Sequence, residues 1–238
     1  MRCGGLHSAS HSQRGYFIKS LIPSLVLNIL FLSLLLGCAG RWDYWPAWVY
    51  TGTSLVMSLL TKLVLRSNPE LLEERNKPKT DAKSWDKKLL ALGFVFTLCI
   101  LVVAGLDAGR LHLNPVLTWP FFVFGWILNL VGMLIFLRSL RENRFFSAVV
   151  RIQTDRGHCV CKSGPYSIVR HPGYAGMIIG TIGIPLVLMS AWSAVPSLLL
   201  VVLMVRRTHL EDTTLDKELP GYREYRQTTR YRLVPGGW

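Results

Sequence analysis

Carboxylates are scarce in this chain. Its 238 residues hold 14 Asp and Glu against 27 Lys and Arg, a formal net charge of +13, and only 17% of the residues are charged. In a soluble protein that imbalance would point to nucleic acid. Here the placement of the charge gives a different account, set out below. Disulfide and metal frameworks are missing as well. Five cysteines are scattered, with Cys38 and Cys99 in apolar runs, Cys159 and Cys161 in a polar loop, and no Cys-x-x-Cys pair. A single Cys-x-Cys offers too few ligands for a closed zinc site, and thiols spread this way fit a reducing compartment. No Gly-x-Gly-x-x-Gly follows a strand-like run, so a Rossmann-type site is not supported. No internal repeat or low-complexity tract stands out.

Apolar sequence is abundant instead, at half of all residues. Runs cover residues 21–39, 44–65, 89–106, 117–137, 172–189 and 194–205. Several reach the roughly 18–20 residues that cross a bilayer. The pattern predicts an all-α protein, a multi-pass transmembrane helical bundle of five to six membrane helices. The final run is short, so the last two can pair as a helical hairpin. Leu35-Leu36-Gly37-Cys38 hints at a lipoprotein cleavage site, but the run is long and more spans follow, which favours a membrane helix. Trp42, Tyr44, Trp45 and Trp48 cluster at the start of the second run as an interfacial belt would. Residues 1–20, polar and basic, are expected to be mobile. Residues 66–88 read as a charged loop in which Pro69 opens a short surface helix, 107–116 as a short loop, 138–171 as a long basic loop, and 206–238 as a polar, basic tail.

Orientation follows from the cations. With the N-terminus inside and each run crossing once, 25 of the 27 Lys and Arg fall on the inner side, counting Lys62 near the inner face. Arg41 and Arg110 are the two outside. The positive-inside rule therefore places both termini in the cytoplasm, and membrane lipids rather than nucleic acid explain the charge.

The chain turns from polar to apolar at Gly164-Pro165-Tyr166-Ser167-Ile168-Val169-Arg170-His171-Pro172-Gly173-Tyr174-Ala175-Gly176. Pro172 suits the first turn of a helix, and His171 before it is driven towards extended backbone. Arg170 and His171 then flank a helix N-terminus, where unpaired N–H groups and the dipole favour an anion. The same residues could equally anchor lipid headgroups. Gly173, Gly176, Gly180 and Gly183 share a helix face. Gly180 and Gly183 suit helix packing, while Gly173 and Gly176, nearer the polar edge, could leave room for a cofactor. In the fourth run Gly125, Asn129 and Gly132 share a face, with Asn129 expected to bond a neighbouring helix. If the sixth helix continues through Arg206-Arg207-Thr208-His209-Leu210-Glu211-Asp212, Arg207 and Glu211 lie four apart on one side. A solvated ion pair of little energetic value would read the same.

Arg170-His171-Pro172-x-Tyr174 also resembles the signature of the isoprenylcysteine carboxyl methyltransferase family, and Arg207, Glu211 and the tail Gly221-Tyr222-Arg223-Glu224-Tyr225 and Arg230-Tyr231-Arg232-Leu233-Val234-Pro235-Gly236 extend the likeness over roughly residues 138–238. The resemblance implies an integral membrane enzyme that uses S-adenosylmethionine. It implies cofactor contacts at His158, Cys159, Val160, Cys161, Tyr166, His171, Pro172, Gly173, Tyr174 and Glu211, with Arg207 at the substrate, and catalysis resting on Arg207 and Glu211. No metal is implied. The donor's carboxylate suits a helix N-terminus with His171 or Arg170, its amino group Glu211, and its sulfonium a tyrosine face. Residues 1–137 would then be N-terminal transmembrane helices that shape the acceptor site, and 138–238 a cofactor-binding core. The acceptor would be a hydrophobic or lipid-linked molecule entering from the bilayer. One position departs from the family: Asp212 stands where a second glutamate is usual. Membrane reductases of sterols or enones that use NADPH resemble the same His-Pro-x-Tyr region and form the alternative.

Overall fold

The computed structural model describes residues 11–76, 81–113 and 117–238, with backbone alone for 11–20 and 76. Its elements are α1 (His11–Ala39), α2 (Trp45–Arg66), α3 (Pro69–Asn76), α4 (Ser84–Ala104), α5 (Trp119–Glu142), α6 (Pro172–Val187), α7 (Ala194–Glu218) and α8 (Tyr222–Thr228). A π-helical segment, Gly105–Leu111, prolongs α4, and short 3-10 turns occupy Thr154–Arg156 and Gly164–Ser167. No strand occurs among the described residues. Proline sits in the first turn of α2, α5 and α6, where its missing N–H costs nothing.

Four helices among the described residues are long and apolar enough to cross a membrane: Leu21–Ala39, Trp45–Arg66, Ser84–Leu111 and Trp119–Glu142. Helix α6 is apolar but has 16 residues, and α7 is apolar only in its first half. The chain is thus a multi-pass helical membrane protein, with α6 and α7 forming the expected hairpin across the turn 188–193. The surface helix opened by Pro69 is also present.

Several boundaries differ from those the hydropathy suggested. Helix α1 begins at His11, inside the segment expected to be mobile; residues 1–10 lie outside the described part. Helix α4 begins at Ser84 and its π-helical extension runs to Leu111, so the expected loops at 66–88 and 107–116 are shorter, with 114–116 outside the described residues. Helix α5 runs to Glu142, α7 to Glu218, and α8 adds a turn to the tail. For α4, α5 and α7 the reason is common. Hydropathy marks where lipid ends, whereas helical hydrogen bonding continues into charged sequence wherever protein packs against it.

The loops separate into two ends. At one, Tyr44 donates to the Leu188 carbonyl, and the carboxylate of Asp107 accepts from Ser190 Oγ at 2.6 Å and Trp192 N at 3.3 Å. Trp42 is 79% exposed there, and Trp45 packs on Trp119 and Phe122. At the other end Lys83 pairs with Glu218 and Arg151 with Glu74, joining the 66–88, 143–171 and 206–238 segments. Arg41 and Arg110 belong to the first end, and most other described cations to the second.

Helices α5 and α6 approach along a glycine seam. A Cβ on Gly176 would lie 2.6 Å from the Gly132 carbonyl, and one on Gly132 2.6 Å from the Gly180 nitrogen. Asn129 Nδ2 donates to the Gly180 carbonyl at 3.1 Å, as its position on that face suggested. Gly176 therefore makes room for a helix rather than for a cofactor.

Candidate functional site

A cavity of about 480 Å³ opens at the end where the basic segments meet. Its size lies within the roughly 300–1,000 Å³ of small-molecule sites. Two kinds of wall enclose it. One is polar and built from the 143–161 loop, the starts of α6 and α8, and the second half of α7. The other is apolar, with Leu89, Leu90, Gly93 and Phe94 of α4 facing Leu200, Leu203 and Met204 of α7. A Cβ on Gly93 would come 3.3 Å from Leu203 Cδ2, so α4 runs close to α7.

His158, Cys159, Val160, Cys161, Tyr166, His171, Gly173, Tyr174, Arg207 and Glu211 all line this one cavity. They come from three separate stretches of chain. Pro172 does not line it; it is buried as the first residue of α6. Gly173 is overlain by Phe146, whose ring would lie 2.6 Å from an added Cβ.

On the polar wall, Tyr174 Oη donates to Glu211 Oε2 at 2.6 Å. Arg207 does not pair with Glu211, four residues on. Its Nε and Nη2 donate to Asp86 at 2.7 and 3.3 Å, its Nη2 also donates to the Ala148 carbonyl at 3.1 Å, and its guanidinium lies 5.3 Å from the Tyr174 ring centroid. Asp86, in the first turn of α4 and wholly buried, also accepts from Val150 N at 2.8 Å. It appeared in the sequence only as one charge of a loop. Its visible signal was position: an acid just ahead of an apolar run must find a cation if the helix starts before the run.

Arg170 is not an open anion site. It donates to both oxygens of Asp212 at 2.8 and 3.0 Å and to the backbone carbonyls of Thr229 and Arg230. Asp212 collects further bonds from Tyr222 Oη at 2.8 Å and Arg232 Nε at 2.8 Å, and contacts His171 Nε2 at 3.1 Å. Burial alone would raise the Asp212 carboxyl; the bonds from His171, Arg170 and Arg232 outweigh that and hold it well below the usual carboxylate range. Asp212 is thus the knot that fastens α6, α7, α8 and the tail around the cavity. The tail adds Tyr231 and Arg232 carbonyls that accept from the Arg170 and His171 N–H groups.

The 143–161 loop closes the cavity from above. Arg144 and Arg156 both lie over the Phe145 ring, at 4.8 and 5.5 Å from its centroid, and His158 packs on it at 4.6 Å. Burial, with the nearby charges of Arg156 and Arg151, pushes the His158 imidazole down to about 4. His158 Nδ1 accepts from the Gln153 N–H at 3.3 Å, which requires that nitrogen unprotonated. Burial also raises the thiol of Cys161 and the phenol of Tyr166, so both are held uncharged. Among the described residues no cluster of His, Cys, Asp and Glu could hold a metal ion.

The family model described as "Isoprenylcysteine carboxyl methyltransferase (ICMT) family" matches residues 118–217. The match starts earlier than the quoted motifs, at α5, and stops before α8 and the tail. Two curated relatives, each named "Probable protein-S-isoprenylcysteine O-methyltransferase", come from Oryza sativa subsp. indica and subsp. japonica. Each is 29% identical over 92 residues, covering 35% of this chain and 48% of the relative. The chain thus spans about half the length of the curated relatives it matches. From α5 through nearly all of α7, the helices that carry Tyr174, Arg207 and Glu211, this chain resembles the isoprenylcysteine carboxyl methyltransferase family.

Proposed function

We propose that the protein is a membrane methyltransferase that moves a methyl group from S-adenosylmethionine to a hydrophobic or lipid-linked acceptor, a carboxylate such as that of a prenylated cysteine. One observation supports this above the others: a single cavity joins a polar wall bearing Glu211, Tyr174, His171 and Tyr166 to an apolar lobe between α4 and α7. The donor set fits a zwitterionic sulfonium. Tyr174 occupies Glu211 Oε2, which leaves Oε1 to take the donor's ammonium, and the electron-rich faces of Tyr174 and Tyr166 suit a sulfonium.

Bound there, S-adenosylmethionine would supply an electrophilic methyl group to the acceptor oxygen, the methyl–sulfur bond breaking with its electron pair left on sulfur. The chain's own part is alignment and exclusion of water. His158, Cys159, Val160 and Cys161 flank the donor from the overlying loop. His171 and Tyr174 would hold it from the start of α6, with Gly173 beneath the Phe146 ring between them. Arg207, fixed by Asp86, stands where donor and acceptor lobes meet, and Glu211 grips the donor beside it. Leu90, Phe94 and Leu203 line the path by which an apolar tail enters from the bilayer. Helices before residue 138 shape the acceptor part together with Leu200, Leu203 and Met204 of α7, and the remaining segments after 138 shape the donor part. With the cation-rich end in the cytoplasm, both termini and the site face that side.

Calorimetric titration of S-adenosylhomocysteine into the detergent-purified protein tests the reading. Micromolar binding that Glu211→Ala abolishes is expected. A folded protein that ignores S-adenosylhomocysteine and binds NADPH instead would be a reductase, and the proposal would fall.

A further inference from the structure

Four arginines line the cavity, and three are matched with carboxylates. Arg151 pairs with Glu74, Asp81 and Asp155, Arg170 with Asp212, and Arg207 with Asp86. The fourth, Arg75 on α3, donates from Nη1 to the Phe146 carbonyl at 3.1 Å and has no carboxylate partner among the described residues, which include every Asp and Glu of the chain. Burial pushes its guanidinium down from the ordinary value. Lys62, near the end of α2, lies close enough that the two positive charges repel. A desolvated cation held by one carbonyl is costly, and an incoming anion relieves that cost.

Arg75 is also well placed. It grips Phe146 while Arg207 grips Ala148, so the two guanidiniums hold one short stretch of the overlying loop. Phe146 in turn covers Gly173, next to Tyr174. Arg207, the cation that the sequence suggested for the acceptor, already has its charge met by a buried aspartate.

We propose that Arg75, rather than Arg207, takes the acidic head of the acceptor, a carboxylate or phosphate carried on an apolar chain. The proposal rests on the methyl-transfer reading for the identity of the acceptor, not for the existence of the anion subsite. It adds a property to the reaction. A carboxylate that gains a methyl group becomes a neutral ester and loses its hold on Arg75, so the same residue favours substrate over product.

The test is direct binding to the full-length protein in detergent. The probes are N-acetyl-S-farnesylcysteine, its methyl ester, and lysophosphatidylethanolamine, with S-adenosylhomocysteine titrated in parallel. Either the acid binds at least about tenfold more tightly than its ester, or the lysophospholipid is the anion held. Whichever it is, Arg75→Gln weakens that anion about tenfold, the scale of a lost charged hydrogen bond, and leaves the ester unchanged. Arg75→Lys restores part of the loss, and S-adenosylhomocysteine binds all variants alike. Loss on the acid alone assigns a carboxylate head, and loss on the lysophospholipid alone assigns a phosphate. Equal wild-type affinity for acid and ester, together with lysophospholipid binding that salt does not weaken, overturns the proposal without recourse to a variant. Unchanged anion affinity in a folded Arg75→Gln overturns it too. Arg75-dependent anion binding without any S-adenosylhomocysteine binding would sink the methyl-transfer reading and leave the anion subsite standing.

Discussion

Asp86 and Arg207 are 121 residues apart in sequence and joined by two hydrogen bonds at 2.7 and 3.3 Å. The pair ties the start of α4 to the middle of α7 beside the cavity. Removing one member leaves the other charged and buried, which costs about 3–5 kcal/mol, whereas replacing both with apolar residues is often near neutral. Asp86→Ala and Arg207→Met should each lower thermal stability sharply, and the double variant should regain much of the loss. Additive losses in the double-mutant cycle would show that the two do not act as a pair.

Tyr174 and Glu211 carry the polar wall. Tyr174→Phe keeps the ring under Arg207 and deletes the hydroxyl that orients Glu211. A hydrogen bond to a charged group is worth about 1.5–3 kcal/mol, so S-adenosylhomocysteine affinity should fall at least about tenfold while the melting temperature changes little. Wild-type affinity in this variant would remove Glu211 orientation from the account.

Two glycines one turn apart on α6 should behave in opposite ways. A Cβ at Gly176 meets the backbone of α5, whereas one at Gly180 meets nothing within 4 Å. Gly176→Ala should destabilise or splay the α5–α6 pair, by about 1–3 kcal/mol as an overpacking change. Gly180→Ala should fold normally and gain a few tenths of a kcal/mol from its better helix propensity. Equal melting temperatures for the two would contradict the seam.

His158 should make the overlying loop acid-sensitive. Its folded pKa lies near 4 against an ordinary 6.5, so the unfolded chain binds more protons between those values. Stability from this group is complete above about pH 6.5, falls as the pH drops towards 4, and changes no further below. Allowing for solvent screening of a partly exposed ring, the loss is on the order of 1 kcal/mol. Comparing the pH 7.5 and pH 5 melting temperatures of wild type and His158→Gln isolates it; a parallel shift in both proteins would refute it.

Much of this was legible in the sequence, for definite reasons. Helix type and number followed from apolar length, the start of α6 from Pro172, the surface helix from Pro69, and a helix-to-helix bond at Asn129 from the face it shares with Gly125 and Gly132, though not which helix would receive it. Convergence of the stretches bearing His158, His171 and Glu211 was legible because one hairpin returns the chain to the same end. The partners were not. Arg207 was read against its neighbour Glu211, since helical spacing is all a sequence offers, yet it chose Asp86 from another helix. Arg170 was read as a free cation because its acceptors, Asp212 and two tail carbonyls, are 42 to 60 residues away. Arg75 was not legible either: it is one cation of a charged loop in the sequence, and its partner, the Phe146 carbonyl, is 71 residues away.

Asp212 has a consequence for motion. One carboxylate, 1% exposed, bonds Arg170, Tyr222 and Arg232 and contacts His171, so four segments share a single fastening. Such a region cannot fray piece by piece. The start of α6, α8 and the tail should open as one unit, and the amides of Arg170, His171, Tyr225 and Thr229 should exchange hydrogen with a common opening free energy. A donor-sized molecule would then meet a wall that is either wholly shut or wholly released.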